Sequence, residues 1–549
     1  MELVDGQMPG IYWQSRMGNN SDGIGGNCHR YDVVTADAEG RLAREYFIVD
    51  LGVKLGHQRS GYACEFPSPE GLLPRAGGRR APQSVVAPAA LLLTHAHEDH
   101  LGAVRHVLDM GFSVPPVYCT AFTAQLLDKS LVNAGIERQR RPRIVVIRPG
   151  DVARIANADV EFVAVDHMPG AVALSLRTAE ASVFHTGDYK FDDSLLLGER
   201  ADLQRLRAIG SAGVDAVVSD STAVSEVGDK VAEAEIRRTL TGLVAANKGR
   251  AIIAGILGTQ LDRLVSLGRA AAANDRFLVV TGRSLEDNLR ALRLSGIDID
   301  AAAGTHVMVP AEAAELAASR ALVVTTGAFA QPHAGLTRAA ERLPNGLLVD
   351  GDTTVIIPQR AIAPVKAAHS AMVDRLERLG ATVITAERAE TSGIGPIHQS
   401  GHAIEKDTRL LYSLLRPTQI VAPMHGNTAQ LEANARLVRS LGIAALPLEG
   451  NGAVVRITHG VAEVVGREAV RRIGAAETGE HKQLPRARKG EGRGGAPAPA
   501  VYRYDELDAD GRTVLAADIR PATRPNRPKA ARRPPGPGLR DMAGDRRGR

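Results

Sequence analysis

The segment Thr94-His95-Ala96-His97-Glu98-Asp99-His100 gathers three imidazoles and a ligating carboxylate within six positions, directly after the apolar run Leu91-Leu92-Leu93. Imidazole nitrogen and carboxylate oxygen are the donors that Zn²⁺ and Mn²⁺ accept. A tight strand-to-helix loop lets His95 and His97 point one way while Asp99 and His100 point another, a layout that suits two adjacent metals. The plain alternative is a polar turn with Asp99 placed favourably at a helix N-terminus. A turn has no use for three histidines at these spacings, so the metal reading is preferred.

Further His and Asp residues fall at the ends of apolar runs. His167 lies in Val165-Asp166-His167-Met168-Pro169-Gly170, Asp188 in His185-Thr186-Gly187-Asp188-Tyr189-Lys190, and Asp220 in Ser219-Asp220-Ser221-Thr222. His398 and His402 share Ile397-His398-Gln399-Ser400-Gly401-His402-Ala403, and His425 lies in Pro423-Met424-His425-Gly426. Any one of them alone reads as a hydrogen-bonded histidine or aspartate. Their number, following the His95 loop, points to one site.

Strand patterns at 45–53, 85–94, 143–148, 159–166, 173–177, 181–186 and around Ala216-Val217-Val218 dominate the first 220 residues, with a helical period at 121–135. From 222 to 385 helix and strand alternate: helical 229–247, 259–273 and 310–319 lead to strands 250–256, 276–281 and 321–326. Such alternation predicts a parallel α/β layer. Residues 386–470 read as loop and strand. The division expected is 1–221 and 386–470 as two parts of one domain, 222–385 as an interrupting domain, and 471–549 as a disordered basic tail. The tail is rich in Pro, Gly, Ala and Arg and too poor in apolar residues to offset its ordering entropy. Its island Val501-Tyr502-Arg503-Tyr504-Asp505 reads as a short docking motif for a protein partner.

Composition narrows the classes. The net charge of +5 divides into 17 Lys/Arg against 8 Asp/Glu over residues 481–549 and 50 against 54 over residues 1–480, so the high pI belongs to the tail. Only 3 % of residues are aromatic, which argues against a broad base-stacking platform. No run approaches the ~20 apolar residues of a membrane span, and no secretory signal is visible at Met1-Glu2-Leu3-Val4-Asp5. Three scattered cysteines, Cys28, Cys64 and Cys119, form no disulfide framework, so a cytoplasmic location is expected.

With these motifs in order, residues 20–470 resemble the metallo-β-lactamase-fold hydrolases of the β-CASP nuclease group, and among them the ribonuclease J family. The pieces that carry the resemblance are His-Ala-His-Glu-Asp-His, His-Thr-Gly-Asp-Tyr-Lys-Phe-Asp, Ser-Asp-Ser-Thr, Gly282-Arg283-Ser284, and His-Gln-Ser-Gly-His-Ala with the later Met-His-Gly. The resemblance implies an αββα sandwich interrupted by an α/β β-CASP domain. It implies one metal on His95, His97 and His167, a second on Asp99, His100 and His425, and Asp188 bridging both. Two Zn²⁺ per chain are expected, with Mn²⁺ or Mg²⁺ as substitutes, about 3.5–4 Å apart. His402 would be the proton donor at the leaving oxygen, oriented by Asp220, and Asp50 would orient metal ligands. His398, Gln399, Ser400, Gly401 and His402 would grip the phosphate backbone beside the scissile bond, with Arg283 and Ser284 as further substrate contacts.

The implied activity is metal-dependent hydrolysis of single-stranded RNA, 5′→3′ exonucleolytic with endonucleolytic cleavage as a second mode, in RNA processing and decay. A homodimer or homotetramer is the implied assembly. An alternative keeps the dimetal site and changes the substrate to DNA or to a small phosphodiester or thiolester; an interrupting domain of 164 residues favours a polymer. A non-catalytic RNA-binding subunit is disfavoured because every ligand position is filled. The chain also departs from the family pattern. Leu257-Gly258-Thr259-Gln260 replaces an Ala-Ser-Asn segment, Ile356-Ile357-Pro358-Gln359-Arg360 replaces a serine-rich stretch that helps to bind a 5′ phosphate, and Thr326-Gly327-Ala328-Phe329-Ala330-Gln331-Pro332 replaces Thr-Gly-Ser-Gln-Gly-Glu-Pro. Asp166 stands in place of a hydroxyl residue and Gly170 in place of an acid.

Overall fold

The computed structural model describes residues 8–19, 24–55, 62–76, 86–344, 346–362, 365–446, 450–481, 500–507 and 513–515. Two sheets carry the candidate site. The first has eight strands, running spatially from Val461–Arg467 and Ala453–Thr458 through Gly10–Met17, Cys28–Ala36 and Leu42–Val49 to Leu91–Leu92, Val117–Thr120 and Ile144–Ile147. The second has six strands, in the order Ile420–Met424, Ala216–Asp220, Ser182–His185, Val172–Arg177, Ala158–Ala164 and Val152–Ile155. Trp13, Tyr31, Phe47 and Leu92 of the first sheet meet Phe162, Leu174, Val183 and Val218 of the second in one buried cluster. The outer face of the first sheet, at Ile48 and Val117, packs on Val107 and Leu131 of the helices Ala103–Asp109 and Ala121–Asn133. Leu206 and Leu415, from the helices Leu203–Ser211 and Glu405–Leu415, belong to the same buried cluster as Val217 and Val421 of the second sheet. The result is the αββα sandwich expected.

Residues 251–385 build a third sheet of six parallel strands, in the order Val307–Met308, Phe277–Thr281, Ala321–Thr326, Ala251–Ile256, Thr353–Ile357 and Thr382–Thr385. Its central strands are near-continuous apolar runs, as burial on both faces requires. The helices Glu233–Ala246 and Leu261–Ala272 pack on each other beside it.

Three expectations need correction. Residues 310–319 form no α-helix: after Pro310 the segment turns, and only a 3₁₀ turn, Ala318–Arg320, precedes the strand. Almost all of its side chains are exposed, so the alanines have no core face to bury. Residues 386–470 are not mainly loop and strand, since the helices Glu405–Leu415 and Thr428–Ser440 lie within them. The expected disorder does not begin at 471. Arg472–His481 and Ala500–Leu507 pair antiparallel, and Arg472–Ala475 continues onto Cys64–Pro67 in a fourth sheet. Tyr504 and Leu507 are buried there, with Tyr504 edge-on to Phe66 and its hydroxyl donating to Asp109 at 2.9 Å. The island at 501–505 therefore docks on its own chain. The expected disorder of 482–499 and 516–549 lies outside the described residues.

Candidate metal centre

The His95 loop is set by two strand ends. Leu91–Leu92 is held in parallel between Val49 and Tyr118, and at its end the chain turns into the short helix Glu98–Leu101. Asp50 closes the neighbouring strand in a left-handed backbone conformation, φ 59°, a conformation rare for residues other than glycine. Its Oδ1 accepts the Thr94 amide at 2.8 Å, its Oδ2 the Thr94 hydroxyl at 2.9 Å, and Oδ2 lies 2.7 Å from His100 Nδ1. That last contact fixes the tautomer: with Nδ1 facing Asp50, His100 turns Nε2 towards Asp99 and Asp188, at 3.6 and 3.3 Å. Gly52 allows the close approach, because a Cβ there would fall 1.7 Å from the Asp99 carbonyl oxygen.

The other candidates converge from the second sheet. His167 follows Ala158–Ala164 and places Nε2 3.0 Å from His97 Nδ1, which itself lies 3.0 Å from His95 Nε2. His167 Nδ1 donates to the Gly401 carbonyl at 2.8 Å, leaving its Nε2 lone pair for the cluster. Asp188, beyond Ser182–His185, has Oδ2 3.6 Å from His95 Nε2 and 3.5 Å from His167 Nε2, and Oδ1 3.7 Å from His425 Nε2. His425, with φ 53°, puts Nε2 3.0 Å from Asp99 Oδ2. Three groups result whose ligand atoms lie within 4.8 Å of one another: His95, His97, His167 and Asp188; Asp99, His100, Asp188 and His425; and Asp188, Asp220, His402 and His425. Asp188 belongs to all three, and its buried Oδ1 has no hydrogen-bond partner among the described residues. Converging imidazole lone pairs around an orphaned carboxylate oxygen fit divalent cations.

The charges divide the cluster. Burial pushes His95 and His167 well below the ordinary imidazole range and His97 down to about 4, the state in which a nitrogen can ligate. Burial also acts to lower His100 and His425, but the carboxylates outweigh it: Asp188, Asp99 and Asp50 raise His100 well above its ordinary value, and Asp188, Asp220 and Asp99 take His425 up to about 10. Asp188 would be raised by burial, yet His100, His425 and His402 hold it well below the carboxylate range. Burial thus dominates at His95, His97 and His167, and the surrounding carboxylates dominate at His100, His402 and His425.

Asp220 ends Ala216–Asp220 and serves two histidines. Its Oδ2 is 2.9 Å from His402 Nδ1, and its Oδ1 3.3 Å from His425 Nδ1, so each ring turns Nε2 away from it. Sequence reasoning paired Asp220 with His402 and missed its contact with His425. The pocket beside the cluster has a volume of about 210 Å³ and is walled by His97, His167 and Lys190 from the first segment, Glu233, Gln260 and Gln359 from the second, and Gln399 to His402 from the last. His398 does not line it; burial and the nearby Arg263 and Arg360 charges push its imidazole down to about 3. Arg283 and Ser284 are not brought to the cluster. Both are exposed at the start of the helix Arg283–Leu294, and Ser284 lines a separate cavity of about 390 Å³ with Tyr502 and Tyr504.

Glu233 and Arg263, which the sequence did not single out, hold part of the pocket wall. Glu233 and Arg263 are fully paired inside it, Nε to Oε1 at 2.9 Å and Nη2 to Oε2 at 3.1 Å. Gln399 Nε2 donates to Asp192 and to Glu233, both at 3.0 Å. Asp166, the residue that replaces a hydroxyl, accepts the amides of Asp192 and Ala201 at 2.9 and 3.0 Å and so fixes the Lys190–Asp192 segment.

Among the described residues no helix is long and apolar enough to cross a membrane. Residues 67–228 match the β-lactamase superfamily domain, and residues 248–376 match the ribonuclease J β-CASP domain. The chain is 29 % identical to the ribonuclease J of Mycolicibacterium smegmatis over 436 residues, 75 % of each protein. It is 31 % identical to that of Sinorhizobium meliloti over 68 % of this chain and 64 % of the relative. With that of Corynebacterium glutamicum the identity is 30 % over 69 % and 51 %. The chain thus spans between half and three quarters of the length of these relatives. In fold it is similar to a protein of unknown function from Enterococcus faecalis, with a TM-score of 0.53 and 17 % identity over 82 % of this chain and all of the other. With a β-lactamase superfamily segment followed by the β-CASP segment of ribonuclease J, and relatives of that name along about 70 % of its length, this chain belongs to the ribonuclease J family.

Proposed function

We propose that this chain is a metal-dependent ribonuclease that hydrolyses single-stranded RNA in the cytoplasm, 5′→3′ from the end and also within the strand. The observation that carries the reading is the set of three His/Asp clusters sharing Asp188 at the foot of a pocket walled by both α/β units. His95, His97 and His167 would hold one Zn²⁺, Asp99, His100 and His425 the other, and Asp188 both; Mn²⁺ or Mg²⁺ could take their place. Bound there, the cations would supply an activated water and stabilise charge on the phosphoryl oxygens. The chain's own residues do the rest. His402, oriented through Nδ1 by Asp220, turns Nε2 towards the pocket, where it protonates the leaving oxygen. Ser400 and Gly401 place the backbone of the substrate, and the Gly401 carbonyl ties that loop to His167, so substrate grip and ligand geometry share one hydrogen bond. Three buried, unpaired cysteines suit a reducing compartment.

The test offers one oligonucleotide sequence as RNA and as DNA to the purified chain, before and after chelation and re-addition of Zn²⁺ or Mn²⁺. RNA should be cut, chelation should stop the reaction, and metal should restore it. Equal cleavage of DNA would move the substrate class, and full activity after exhaustive metal removal would overturn the dimetal reading.

A further inference from the structure

Residues 396–402 belong to no helix or strand, yet they carry His402 and the Gly401 carbonyl that meets His167. Such a loop is placed by its bonds to other elements, and here the anchors come from every part of the chain. Arg263 Nη1 donates to the Ile397 carbonyl at 2.5 Å. Gln399 Nε2 donates to Asp192 Oδ2 and to Glu233 Oε2, both at 3.0 Å. His167 Nδ1 donates to the Gly401 carbonyl at 2.8 Å, and His402 Nδ1 meets Asp220 Oδ2 at 2.9 Å.

Gln399 closes a circuit among these anchors. Its partner Asp192 donates its own amide to Asp166 Oδ2 at 2.9 Å, and Asp166 directly precedes His167. From His167 the path returns through the Gly401 carbonyl to the loop that bears Gln399. Asp192 Oδ2 also accepts the Glu233 amide at 3.0 Å, where the helix Glu233–Ala246 begins, and Glu233 is paired with Arg263. The loops that carry His167 and His402 are thus tied to one hub, built from the first segment, the interrupting unit and the last segment. Burial acts to raise Asp192 and Glu233, but hydrogen bonds to both and the Arg263 charge on Glu233 hold the carboxyls below their ordinary values, so both accept. An amide oxygen turned towards two carboxylates would be repelled, so Nε2 must face them. A side-chain amide has two hydrogens to give, and both are used here. What remains is Oε1, buried and without a partner among the described residues. It is an acceptor, which a phosphate oxygen cannot use.

We infer that Gln399 is a positioning residue, not a phosphate contact: through Asp192 and Glu233 it holds the loop that aims His402 at the leaving oxygen; this rests on the ribonuclease reading above. Gln399→Met keeps the side-chain length and removes the donors. Asp192 then retains Ser194 and the Glu233 amide, and Glu233 retains Arg263 and Ser266, so the hub keeps its other bonds. On single-stranded RNA, kcat of the metal-loaded full-length variant should fall roughly 10–100-fold, the scale of a ~1 Å misplacement. KM should stay within about twofold of wild type, because no substrate bond is lost. Elemental analysis should find the metal content unchanged, and amide exchange over residues 397–402 should quicken. A cycle with His402→Ala traces the route. In that background Gln399→Met should change the rate by less than about threefold, since the group it positions is gone. Gln399→Ala is measured alongside with thermal melting of each variant, and if one fails to fold the other decides. A raised KM with kcat held makes Gln399 a substrate contact and overturns the inference. So does a full rate loss that persists in the His402→Ala background, a lost metal equivalent, or failure of both variants to fold. Each of these leaves the ribonuclease reading standing. Wild-type protein that hydrolyses no RNA defeats that reading, and the inference with it.

Discussion

Removing Glu233 should cost far more than its place in the first turn of a helix suggests. Glu233 and Arg263 are 2 % and 3 % exposed, and the pair is bidentate. Glu233→Ala strips partners from Nε and Nη2 of Arg263, while Nη1 keeps the carbonyls of Pro358 and Ile397. An uncompensated buried charge costs ~3–5 kcal/mol, and the surviving carbonyl bonds place the expectation near the lower end, ~3 kcal/mol. A chain with several units need not melt in one step. The readout is therefore hydrogen exchange in the helices Glu233–Ala246 and Leu261–Ala272, and in residues 397–402, where Gln399 no longer has Glu233 to donate to. Double-mutant analysis isolates the pair: Glu233→Leu with Arg263→Met should cost less than the sum of the single changes by about 2 kcal/mol or more. The pH dependence carries the same signature. Burial acts to raise Glu233, but the Arg263 charge and hydrogen bond outweigh it and hold the carboxyl below its ordinary 4.5. A depressed acid contributes its stability fully above the unfolded value and loses it as pH falls through the folded one. The protection should thus fade on the acid side of 4.5 and stay flat above it. A single Glu233→Ala cost below ~1 kcal/mol, or strict additivity in the cycle, would refute the reasoning.

Asp188→Ala should abolish hydrolysis and lower bound metal by elemental analysis, since Asp188 alone belongs to all three ligand clusters; two metal equivalents retained with activity would sink the shared-ligand role. His402→Ala should keep its metal content and lose roughly 10²–10⁴ in cleavage rate, the usual contribution of a placed proton donor. Rates equal to wild type would assign the proton to another group. Ending the chain after residue 515 removes 10 Lys/Arg and 3 Asp. Turnover at saturating RNA should persist, while log affinity falls less steeply with log salt, by about 0.7 for each phosphate that the shortened chain leaves unneutralised. Ending it at 470 should instead destabilise the fold, because Tyr504 and its packing on Phe66 go with the removed strands, and burial of one large aromatic is worth ~3–5 kcal/mol. Equal melting of the two truncations would refute the structural role of the last strands.

How much could be read from the sequence follows from where each residue's partner lies. The His95 loop declared itself because its ligand types stand within six positions, and the strand ends that carry His167, Asp188, Asp220 and His425 each keep a polar residue beside an apolar run. The parallel layer followed from the alternation of helix and strand, whereas the two-sheet sandwich was implied only by the family resemblance. The pocket wall did not, because its members are paired across long stretches of chain: Glu233 with Arg263, 30 residues on, and Gln399 with Asp192, 207 residues back. Seen singly, a glutamate in a helical first turn has no signal, and Gln399 reads as a substrate contact and not as the partner of Asp192 and Glu233. The strand Ala500–Leu507 was hidden for a related reason. Its neighbours are Pro- and Gly-rich, and only its registry with Arg472–His481, and through that strand with Cys64–Pro67, gives Tyr504 a core to enter. Even Arg283 and Ser284, which matched a family motif, sit on an exposed helix start away from the cluster. The ligands are identified by what they are, and the wall by what it touches. In a site of this kind the chemistry is therefore legible before the specificity, and the departures from family pattern at Gln260 and Gln359 acquire meaning only once both are seen lining one pocket.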